Sequence, residues 1–398
     1  MANQTAQVFS RQPDRIWLEE LKLSQFRNYV SARVELDGRH VVLTGQNGAG
    51  KTNLLEAVSF LSPGRGMRRA AYSQVANTKS SDDGSWAVHT QLHGAIGEVS
   101  IGTGISITPQ GLDSQRRVRV NSANAKSSDE LLDHARVLWL TPAMDGLFTG
   151  GKSDRRRFLD RMVLAIDPEH GRRVNAFEKA MRSRNKLLET ASNDDAWLGG
   201  IEQQMAEYGV AIAFARAELV NLLKALIDGE VDTSFPKANL ALAGDLEDLM
   251  RAGSASDLED RFRSELARAR MRDRAAGRTL IGPHRTDLLV RHSAKDMEAA
   301  LCSTGEQKGL LTGLVLAHAK LVGEVSGMAP ILLLDEIAAH FDGARREALF
   351  DLIDTLGCQA WMTGTDDHLF EALANRAQYF HVSDGTVTVH EPETGGAE

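Results

Sequence analysis

One run of the chain has the residue types needed to hold a phosphate group: Gly45, Gln46, Asn47, Gly48, Ala49, Gly50, Lys51 and Thr52. Glycines let backbone N–H groups turn inward around a β-phosphate, where a Cβ atom would collide with the oxygens. The lysine can reach the β- and γ-phosphates, and the threonine hydroxyl can hold Mg²⁺. The apolar run Val41–Leu43 precedes this phosphate loop and the helical run Asn53–Phe60 follows it, which is the order that nucleotide binding requires. The alternative is an ordinary glycine-rich turn.

Two adjacent acids end a second apolar run, Ile331–Leu334. Asp335 would lie at the carboxyl end of a strand, where it can bind Mg²⁺, usually through water. Glu336 can orient or polarise a water molecule that attacks the γ-phosphate. These acids predict ATP hydrolysis, with Lys51 and Glu336 as the catalytic residues and with Thr52 and Asp335 as the metal-binding residues.

A short polar motif, Ser303–Gln307, begins a helical stretch upstream of these acids. A serine and a glycine at the start of a helix present a hydroxyl, N–H groups and the positive helix end to an anion. The motif has the form of the ABC-type ATPase signature, in which Ser303 and Gly305 would contact the γ-phosphate of a nucleotide held by the opposite subunit. The alternative is a capping box, in which Ser303 and Glu306 only cap the helix.

Two later segments also have alternative interpretations. Ala338–Asp342 occupies the position of the D-loop, which runs along the dimer interface of ABC ATPases, and Asp342 can equally cap the next helix. A later strand is followed by Thr365 and Asp366, where transporter-type ATPases carry a switch histidine. His368 is near that position, but we expect it to be an exposed residue inside a helix.

Composition predicts a cytoplasmic protein without membrane contact. The 398 residues are 42% hydrophobic and 25% charged, as in globular proteins with two or three structural units. No run of 18 apolar residues occurs, and Met1–Arg15 lacks the apolar core of a signal peptide. Cys302 and Cys358 are the only cysteines, which fits a reducing compartment and disfavours a zinc site.

The charge balance limits how the chain can contact nucleic acid. A formal net charge of -8 at pH 7 excludes a protein that is basic all over, so any DNA contact must be local. Arginines cluster in four segments: Arg116–Arg119, Arg155–Arg161, Arg172–Arg173 and Arg261–Arg278. The alternative for each cluster is a solvated helix face in ion pairs with neighbouring acids.

The elements that must position these residues change character along the chain. Strands are predicted at Ile16–Phe26 and Val30–Leu43, with a turn signal at Asp37-Gly38, and alternating segments between Trp86 and Val120 predict an antiparallel sheet. Helical spacing dominates from Ser153 to Arg274. Two helices there could pair as a short antiparallel arm or pack separately on the main body.

These patterns predict an α/β fold: an ABC-type ATPase head with an antiparallel β-lobe and a helical arm domain inserted between the phosphate loop and the signature motif. The predicted domains are an N-terminal extension (1–15), an ATPase lobe with the phosphate loop and β-lobe (16–152), the helical arm domain (153–278), a second ATPase lobe (279–391) and a flexible tail (392–398).

Longer motifs resemble the RecF family of DNA-repair ATPases, which are related to the heads of SMC proteins. The resemblance covers residues 16–390. Outside the general ATPase motifs it is carried by six segments: Phe26–Tyr29, Leu61–Arg68, Arg119–Asn121, Leu140–Pro142, Gly150–Asp160 and Gly282–Arg285. The resemblance implies that Arg27 and Asn28 reach the nucleotide from the first strand loop. It also implies that Arg65 or Arg68 contacts phosphate or DNA, the alternative for each being a surface arginine.

The sequence departs from the family pattern at two places. After Leu140–Pro142 the expected acid is absent, which leaves Asp145 as the nearby candidate for coupling the arm to the Mg²⁺ site. After Gly282–Arg285 the family usually has two acids, whereas here Thr286 precedes Asp287.

The motifs and the resemblance together imply ATP-gated DNA binding. ATP and Mg²⁺ would bind at Lys51, Thr52 and Asp335, two subunits would close across two nucleotides as a homodimer, and weak DNA-stimulated hydrolysis would reopen them. The resemblance further implies action in DNA repair and replication restart on gapped or double-stranded DNA, through phosphate contacts, with RecO and RecR as partners. The alternatives are the ATPase subunit of a membrane transporter and an ATP-stabilised DNA clamp with incidental turnover.

Overall fold

The computed structural model describes residues 12–77, 84–94, 97–108, 111–112, 115–190, 194–230, 234–250 and 255–391. The chain forms two compact units, the first from Met1–Asp145 and Leu311–Glu398 and the second from Gly146–Leu310. The predicted tail, 392–398, lies outside the described residues, as does the predicted extension up to residue 11. Strands and helices are numbered below in chain order.

A largely parallel sheet lies at the centre of the first unit. Its six strands are β3 (His40–Thr44), β10 (Val137–Leu140), β14 (Ile331–Leu334), β15 (Ala360–Thr363), β16 (Ala377–Ser383) and β17 (Thr386–His390). Their order is β10-β14-β15-β3-β16-β17, and only β17 is antiparallel to its neighbour. Every residue of β3, β10, β14 and β15 is buried, which is why these strands read as continuous apolar runs.

An antiparallel sheet forms the rest of the strand structure of this unit. Its strands are β1 (Trp17–Phe26), β2 (Tyr29–Glu35), β4 (Trp86–Gly94), β5 (Gly97–Ile105), β8 (Arg117–Val120) and β9 (Ala123–Asn124), and β6 (Ile107–Thr108) pairs separately with β7 (Gly111–Leu112). The order in the six-stranded sheet is β2-β1-β4-β5-β8-β9. The predicted antiparallel sheet between Trp86 and Val120 is therefore confirmed, and β1 and β2 extend it.

The prediction of Val30–Leu43 as one strand is wrong, because two strands in different sheets share that stretch, but the chain does bend at the predicted turn Asp37-Gly38. The chain turns at Gly38, whose φ of +86° favours glycine, and a Cβ atom there would lie 3.1 Å from the Trp17 ring. β2 therefore ends at Glu35, and it is β3 that leads into the phosphate loop.

The helices of the first unit are α1 (Lys51–Ser59), α8 (Gly343–Thr355) and the part of α7 (Thr304–Ser326) that follows residue 310. α1 packs in a hydrophobic core shared by both sheets, where the rings of Phe26, Phe60 and Trp86 meet at 4.9–6.0 Å between centroids. α7 is long and apolar enough to cross a membrane by length and composition alone, but 72% of its most apolar window is buried inside the protein. Buried helices of globular proteins have the same composition.

The second unit combines five helices with a small sheet. The helices are α2 (Lys152–Ile166), α3 (His170–Glu189), α4 (Asp195–Gly229), α5 (Asp245–Met250) and α6 (Ala255–Ala276), and α7 begins in this unit. β11 (Ala238–Ala243), β12 (Asp287–His292) and β13 (Met297–Glu298) form the sheet in that order. The unit extends past the predicted helical arm, 153–278, because β12 pairs with β11 from within that segment.

α3 and α4 run antiparallel, as one of the two sequence interpretations expected. Arg184 on α3 bonds Glu202 on α4, and Phe177, two turns earlier on α3, lies beside Gly209, two turns later on α4. α6 completes the packing, since a Cβ atom on Gly209 would lie 2.8 Å from the Phe262 ring. The arm is thus a bundle of three helices, whose facing residues form one hydrophobic core.

A buried ion cluster joins the same three helices. The guanidinium of Arg184, which is fully buried, donates to Glu202 at 2.9 Å and to Asp273 on α6 at 2.7 Å. It also donates to the Thr279 hydroxyl at 2.9 Å and to the Leu266 carbonyl at 2.8 Å. These bonds satisfy a charge that would be very costly to bury alone.

Candidate functional site

The phosphate loop connects β3 to α1 and depends on its glycines. At Gly45 the φ is +136°, and a Cβ atom would lie 2.2 Å from the Val382 carbonyl oxygen. At Gly50 the φ is +119°, and a Cβ atom would lie 2.5 Å from Asn28 Nδ2. Gln46, Asn47 and Gly48 form the exposed tip of the loop. Because α1 begins directly after Gly50, its positive end lies at the loop.

Lys51, the first residue of α1, reaches back across the loop. Its Nζ donates to the carbonyl oxygens of Gly45 at 2.6 Å and of Gln46 at 2.9 Å. Burial lowers the pKa of Lys51, while the charges of Glu336 and Asp335 act in the opposite direction. The ammonium therefore lies inside the loop, next to both acids, where a bound phosphate can replace the two carbonyls as its partner.

Asp335 lies at the carboxyl end of β14 and accepts hydrogen bonds from two hydroxyl groups. Thr52 Oγ1 donates to Asp335 Oδ1 at 2.9 Å, and Thr363 Oγ1, at the end of β15, donates to the same oxygen at 2.8 Å. Parallel neighbouring strands bring their carboxyl ends to one edge of the sheet, which explains how residues so distant in sequence meet. The predicted metal-binding pair, Thr52 and Asp335, is therefore in direct contact.

Glu336 is fixed through its backbone. Its N–H donates to Thr363 Oγ1 at 2.8 Å, and its φ of +54° is uncommon for a residue other than glycine. The Thr363 hydroxyl thus accepts a hydrogen bond from the backbone N–H of Glu336 and donates one to the carboxylate of Asp335. Thr363 was not predicted as a site residue. Its one signal in the sequence is its position at the end of the strand that follows the paired acids.

The pair formed by Thr52 and Asp335 fits Mg²⁺. Hydroxyl and carboxylate oxygens are the hard ligands that this ion takes. Two oxygens bound side by side on an octahedral ion with bonds of about 2.0–2.1 Å lie about 2.9 Å apart, the spacing that the Thr52 and Asp335 oxygens already have. Mg²⁺ at this place would offset phosphate charge next to Lys51.

Asn28 supports the phosphate loop, and Arg27 supports α1. Asn28 Nδ2 donates to the Ala49 carbonyl at 2.9 Å, so this predicted nucleotide-binding residue does reach the loop. The Arg27 guanidinium is held by the fully buried Glu56 at 2.6 and 2.8 Å and by the Gln74 carbonyl at 2.7 Å. In this structure Arg27 therefore anchors the helix behind the loop.

Two other arginines of this region were also considered from the sequence. Arg68 lies beside Arg27's partner, 3.5 Å from Glu56, and donates to Asn53 Oδ1 at 2.8 Å. Arg65 is exposed. Asp145 ends the 3₁₀ turn Pro142–Met144.

A cavity of about 360 Å³ adjoins the start of the phosphate loop, and Thr44 and Gly45 line it. Thr365, Asp366 and His368 line the same cavity. His368 is exposed, as expected, and its Nδ1 lies 3.0 Å from Glu371. The segment that replaces the switch histidine of transporters therefore borders the loop with acidic and hydroxyl side chains.

Comparison with known proteins identifies the family. A family model described as the RecF/RecN/SMC N terminal domain matches residues 17–388. The DNA replication and repair protein RecF of Rhizobium meliloti (strain 1021) is 58% identical over 378 residues, which are 94% of this chain and 100% of that protein. The chain belongs to the RecF family. RecF of Brucella suis biovar 1 (strain 1330) is 60% identical over 380 residues, 95% of this chain and 97% of that protein.

Solved structures agree with this RecF-family assignment at the level of the fold. A structure of the recombination mediator protein RecF with ATP, in the RecFOR pathway, has a TM-score of 0.81 at 23% identity and covers 94% of this chain and 98% of that chain. The Smc head domain of Pyrococcus furiosus, bound to the C-terminal domain of ScpA, has a TM-score of 0.52 at 16% identity, with 94% and 96% covered. The predicted ABC-type ATPase head is confirmed.

The predicted signature motif lies in the second unit and forms a capping box. Ser303 N and Oγ both donate to Glu306 Oε2 at 3.0 Å, and Glu306 N lies 3.4 Å from Ser303 Oγ. The helix cap named as the alternative is therefore present. A cap and an anion site use the same groups, so Glu306 takes the place that a phosphate would take in a signature role.

Gly305 has no packing role inside its own subunit, whereas Asp342 caps a helix there. No described atom lies within 4 Å of a Cβ placed on Gly305, so packing inside the subunit does not require glycine there. The Asp342 side chain accepts from Arg345 N at 2.9 Å and caps α8, as one of its two interpretations predicted. The side chains of 339–340, in the predicted D-loop, lie outside the described residues.

Most arginines of the predicted basic clusters have partners inside the protein. Arg155 forms two bonds with Asp287 at 2.8 and 3.0 Å, and Arg156 donates to the Thr286 carbonyl at 3.0 Å. Arg116 donates to the Phe60 and Ser62 carbonyls and so binds the chain just beyond α1. Arg157, Arg172 and Arg173 pair with nearby acids. Arg155, Arg157, Arg172 and Arg173 therefore show the ion-paired arrangement that was the alternative to DNA binding, whereas Arg116 and Arg156 bond backbone carbonyls.

Two arginines of α6 are exceptions, although Arg263, Arg270 and Arg274 on the same helix have partners. Arg261 and Arg272 are exposed on its solvent face, together with Arg268, which pairs with Glu265 at 2.8 Å. Spacings of seven and four residues place the three arginines on one side of the helix. Within the described part of the chain, no side-chain bond to Arg261 or Arg272 occurs.

Proposed function

We propose that this chain binds ATP and Mg²⁺ at the phosphate loop and uses them to control its hold on DNA. The observation that carries the proposal is the convergence of Thr52 and Thr363 on Asp335, beside the ammonium of Lys51. Lys51 would bind the β- and γ-phosphates, and Thr52 and Asp335 would hold Mg²⁺, which offsets phosphate charge. The structure of RecF with ATP supports this choice of nucleotide.

Hydrolysis is assigned to Glu336. Its carboxylate follows the Mg²⁺-binding acid directly, and its backbone is fixed by Thr363. A glutamate in this place can orient a water molecule for attack on the γ-phosphate and accept its proton. Turnover would be weak and stimulated by DNA, so the rate of ATP hydrolysis would set how long the DNA-bound state lasts.

We further propose that two subunits close across two nucleotides. Ser303 and Gly305 of one subunit would contact the γ-phosphate bound to Lys51 of the other. The open space at Gly305 supports this role, because a glycine with no packing role in its own subunit leaves room for a partner's phosphate. Closed homodimers would form with ATP and open after hydrolysis.

The cellular role proposed is recombinational DNA repair and replication restart in the cytoplasm. The names of the relatives, DNA replication and repair protein RecF, support it. The pathway named for the solved RecF structure supports RecO and RecR as partners. DNA, gapped or double-stranded, would be held through phosphates with little base readout, and the solvent face of α6 offers arginines for this contact.

Two other functions would use the same phosphate loop. A transporter subunit is disfavoured by the family match over residues 17–388 and by Thr365 and Asp366 in place of a switch histidine. An ATP-stabilised clamp with incidental turnover differs only in whether DNA accelerates hydrolysis. ATP turnover measured with and without DNA separates the three, since a transporter subunit ignores DNA and a pure clamp binds it without faster turnover.

The decisive experiment measures DNA retention in each nucleotide state at stated salt, with gapped, single-stranded and double-stranded DNA. We expect retention with ATP and Mg²⁺, and release with ADP or with Lys51→Ala. Lys179→Ala, at an exposed position on α3, is the matched control and should retain DNA as wild type does. Equal retention with ATP, with ADP and without nucleotide would refute ATP-gated DNA binding.

A further inference from the structure

The capping box at the start of α7 occupies two of the donors that a signature motif would offer to a phosphate, the N–H and the hydroxyl of Ser303. Glu306 Oε2 accepts from both the N–H and the hydroxyl of Ser303, each at 3.0 Å. A serine hydroxyl carries one proton, so it cannot donate to a phosphate while it donates to this carboxylate. In the free subunit an anion supplied by the chain itself therefore fills the place of the proposed ligand.

A lysine from another element holds this anion in place. Lys295 lies in the turn between β12 and β13 and forms an ion pair with Glu306 Oε1, the carboxylate oxygen that Ser303 does not use. The bond from Lys295 and those from Ser303 lower the pKa of Glu306 to about 2, so the carboxylate is charged at neutral pH. Lys295 is 47% exposed and Glu306 28% exposed, so a ligand can reach both side chains from solvent.

We propose that Glu306 blocks the signature motif in the free subunit, and that Lys295 changes partner from Glu306 to the γ-phosphate when the dimer closes. This inference rests on the proposed function, because it takes Ser303 to contact a nucleotide held by the partner subunit. A γ-phosphate repels the carboxylate and competes for the same hydroxyl and N–H donors. Once Glu306 moves aside, Ser303 can donate a hydrogen bond to the phosphate. Lys295 then no longer pairs with the Glu306 carboxylate, so its ammonium can pair with the phosphate.

The proposal makes Glu306 and Lys295 positioning residues with opposite effects. Glu306→Gln removes the charge but keeps an acceptor for the helix cap. We expect the ATPγS concentration for half-maximal dimerisation to fall about two- to fivefold, the range of an exposed charge pair. Lys295→Met should raise that concentration by a similar factor and should cancel the gain when combined with Glu306→Gln. A purely structural cap predicts the opposite sign for Glu306→Gln, since weakening the cap would weaken dimerisation.

The measurement is the mass of the full chain by light scattering during ATPγS titration with Mg²⁺. Glu178→Gln and Lys179→Met, exposed positions on α3, remove the same charges elsewhere and should leave the titration unchanged. Binding of a fluorescent ATP analogue to the monomer should also be unchanged, because the motif serves the partner's nucleotide. Thermal unfolding identifies any variant whose fold has suffered, and Lys295→Met leaves the bonds between Ser303 and Glu306 in place.

Two outcomes would overturn the proposal, and they are distinguishable. If Ser303→Ala impairs dimerisation while Glu306→Gln equals or weakens wild type, the block is absent and the proposed function stands. If wild type does not dimerise with ATPγS, or Ser303→Ala behaves as wild type, the composite site and the block fail together.

Discussion

A short chain of hydrogen bonds unites the three polar residues at the edge of the parallel sheet. The Glu336 N–H donates to the Thr363 hydroxyl, and that hydroxyl donates to Asp335. The position of Glu336 therefore depends on the same group that orients Asp335. Because Thr363 is buried, water cannot readily replace the hydroxyl if it is removed.

Substitution of Thr363 tests this dependence. Thr363→Val keeps the shape of the side chain but removes both bonds, and we expect ATP turnover to fall about 10- to 100-fold, as when a supporting residue of a metal site is lost. Thr363→Ser keeps the hydroxyl and should keep most of the activity. Steady-state ATPase assays check both, with far-ultraviolet circular dichroism to show that the fold is retained. Equal turnover in the valine and serine variants would contradict the role of the hydroxyl.

The carboxylate of Glu336 can be tested without disturbing its neighbours. Glu336→Gln keeps the backbone bond to Thr363 but removes the base, so hydrolysis should fall about 10²-fold or more. ATP should still bind, and the closed dimer should last longer because its opening waits for hydrolysis. Dimer lifetime is measured by dilution after assembly with ATP. Equal lifetimes in wild type and Glu336→Gln would remove hydrolysis as the opening step.

Among single residues, the short sequence motifs predicted the contact between Thr52 and Asp335 but not the bonds of Thr363 and Arg27. Thr52 and Asp335 meet as the loop and the paired acids predicted, because strand ends in a parallel sheet share one edge. Thr363 belongs to no short motif, so its hydroxyl could be placed only once the neighbouring strands were known. Arg27 bonds Glu56, which a resemblance in sequence alone could not reveal.

Among the elements, the three-helix bundle of the second unit contains a buried charge whose contribution can be tested. Arg184→Met removes the arginine partner of the buried Asp273 and one of the two arginine partners of the buried Glu202, which keeps Arg270, and we expect a loss of about 3–5 kcal/mol in the free energy of unfolding. Arg182→Met, on the exposed side of the same helix, breaks only a 3.5 Å pair with Glu178 and should cost less than about 0.5 kcal/mol. Chemical denaturation followed by circular dichroism compares them. Similar losses for both would show that the buried cluster adds little.

The arginines of α6 provide a test of where DNA binds. Arg261→Ala and Arg272→Ala should each weaken DNA binding equally across sequences and lower the slope of log affinity against log salt by about 1, as loss of one phosphate contact does. Arg172→Ala, exposed and paired with Glu169, is the control. Fluorescence anisotropy over a range of salt concentrations measures the slopes. An unchanged slope in the α6 variants would place the DNA contact elsewhere.

Periodicity predicted the types of element better than their limits. Helical spacing predicted two helices that would either pair as an antiparallel arm or pack separately, and α3 and α4 form the antiparallel pair. The turn signal at Asp37-Gly38 marked the break between β2 and β3, but Val30–Leu43 was still predicted as one strand, because the sequence does not show that its two halves join different sheets. α6 reads as a basic, polar segment, and its contribution to the core becomes evident only when Phe262 and Leu266 are seen against α3 and α4.

At the scale of the whole molecule, the residues of the proposed composite site come from both compact units of the chain. The phosphate loop and both acids belong to the first unit, and Ser303 and Gly305 belong to the second. In a two-fold symmetric dimer each site would take its loop from one subunit and its signature motif from the other. A defect in either part should then abolish both sites of a homodimer.

Mixing two inactive variants tests this arrangement. Lys51→Ala lacks a functional loop and Ser303→Ala lacks a functional signature motif, so each alone should have little ATPase activity. In a mixed dimer, one site combines both defects while the other combines an intact loop with an intact motif. Equal mixing with random pairing should restore about a quarter of the wild-type sites, because half of the dimers are mixed and each has one intact site. Light scattering must first show that mixed dimers form, since Lys51→Ala leaves one functional loop in each; activity of such dimers no greater than the mean of the separate variants would show that the sites are not shared between subunits.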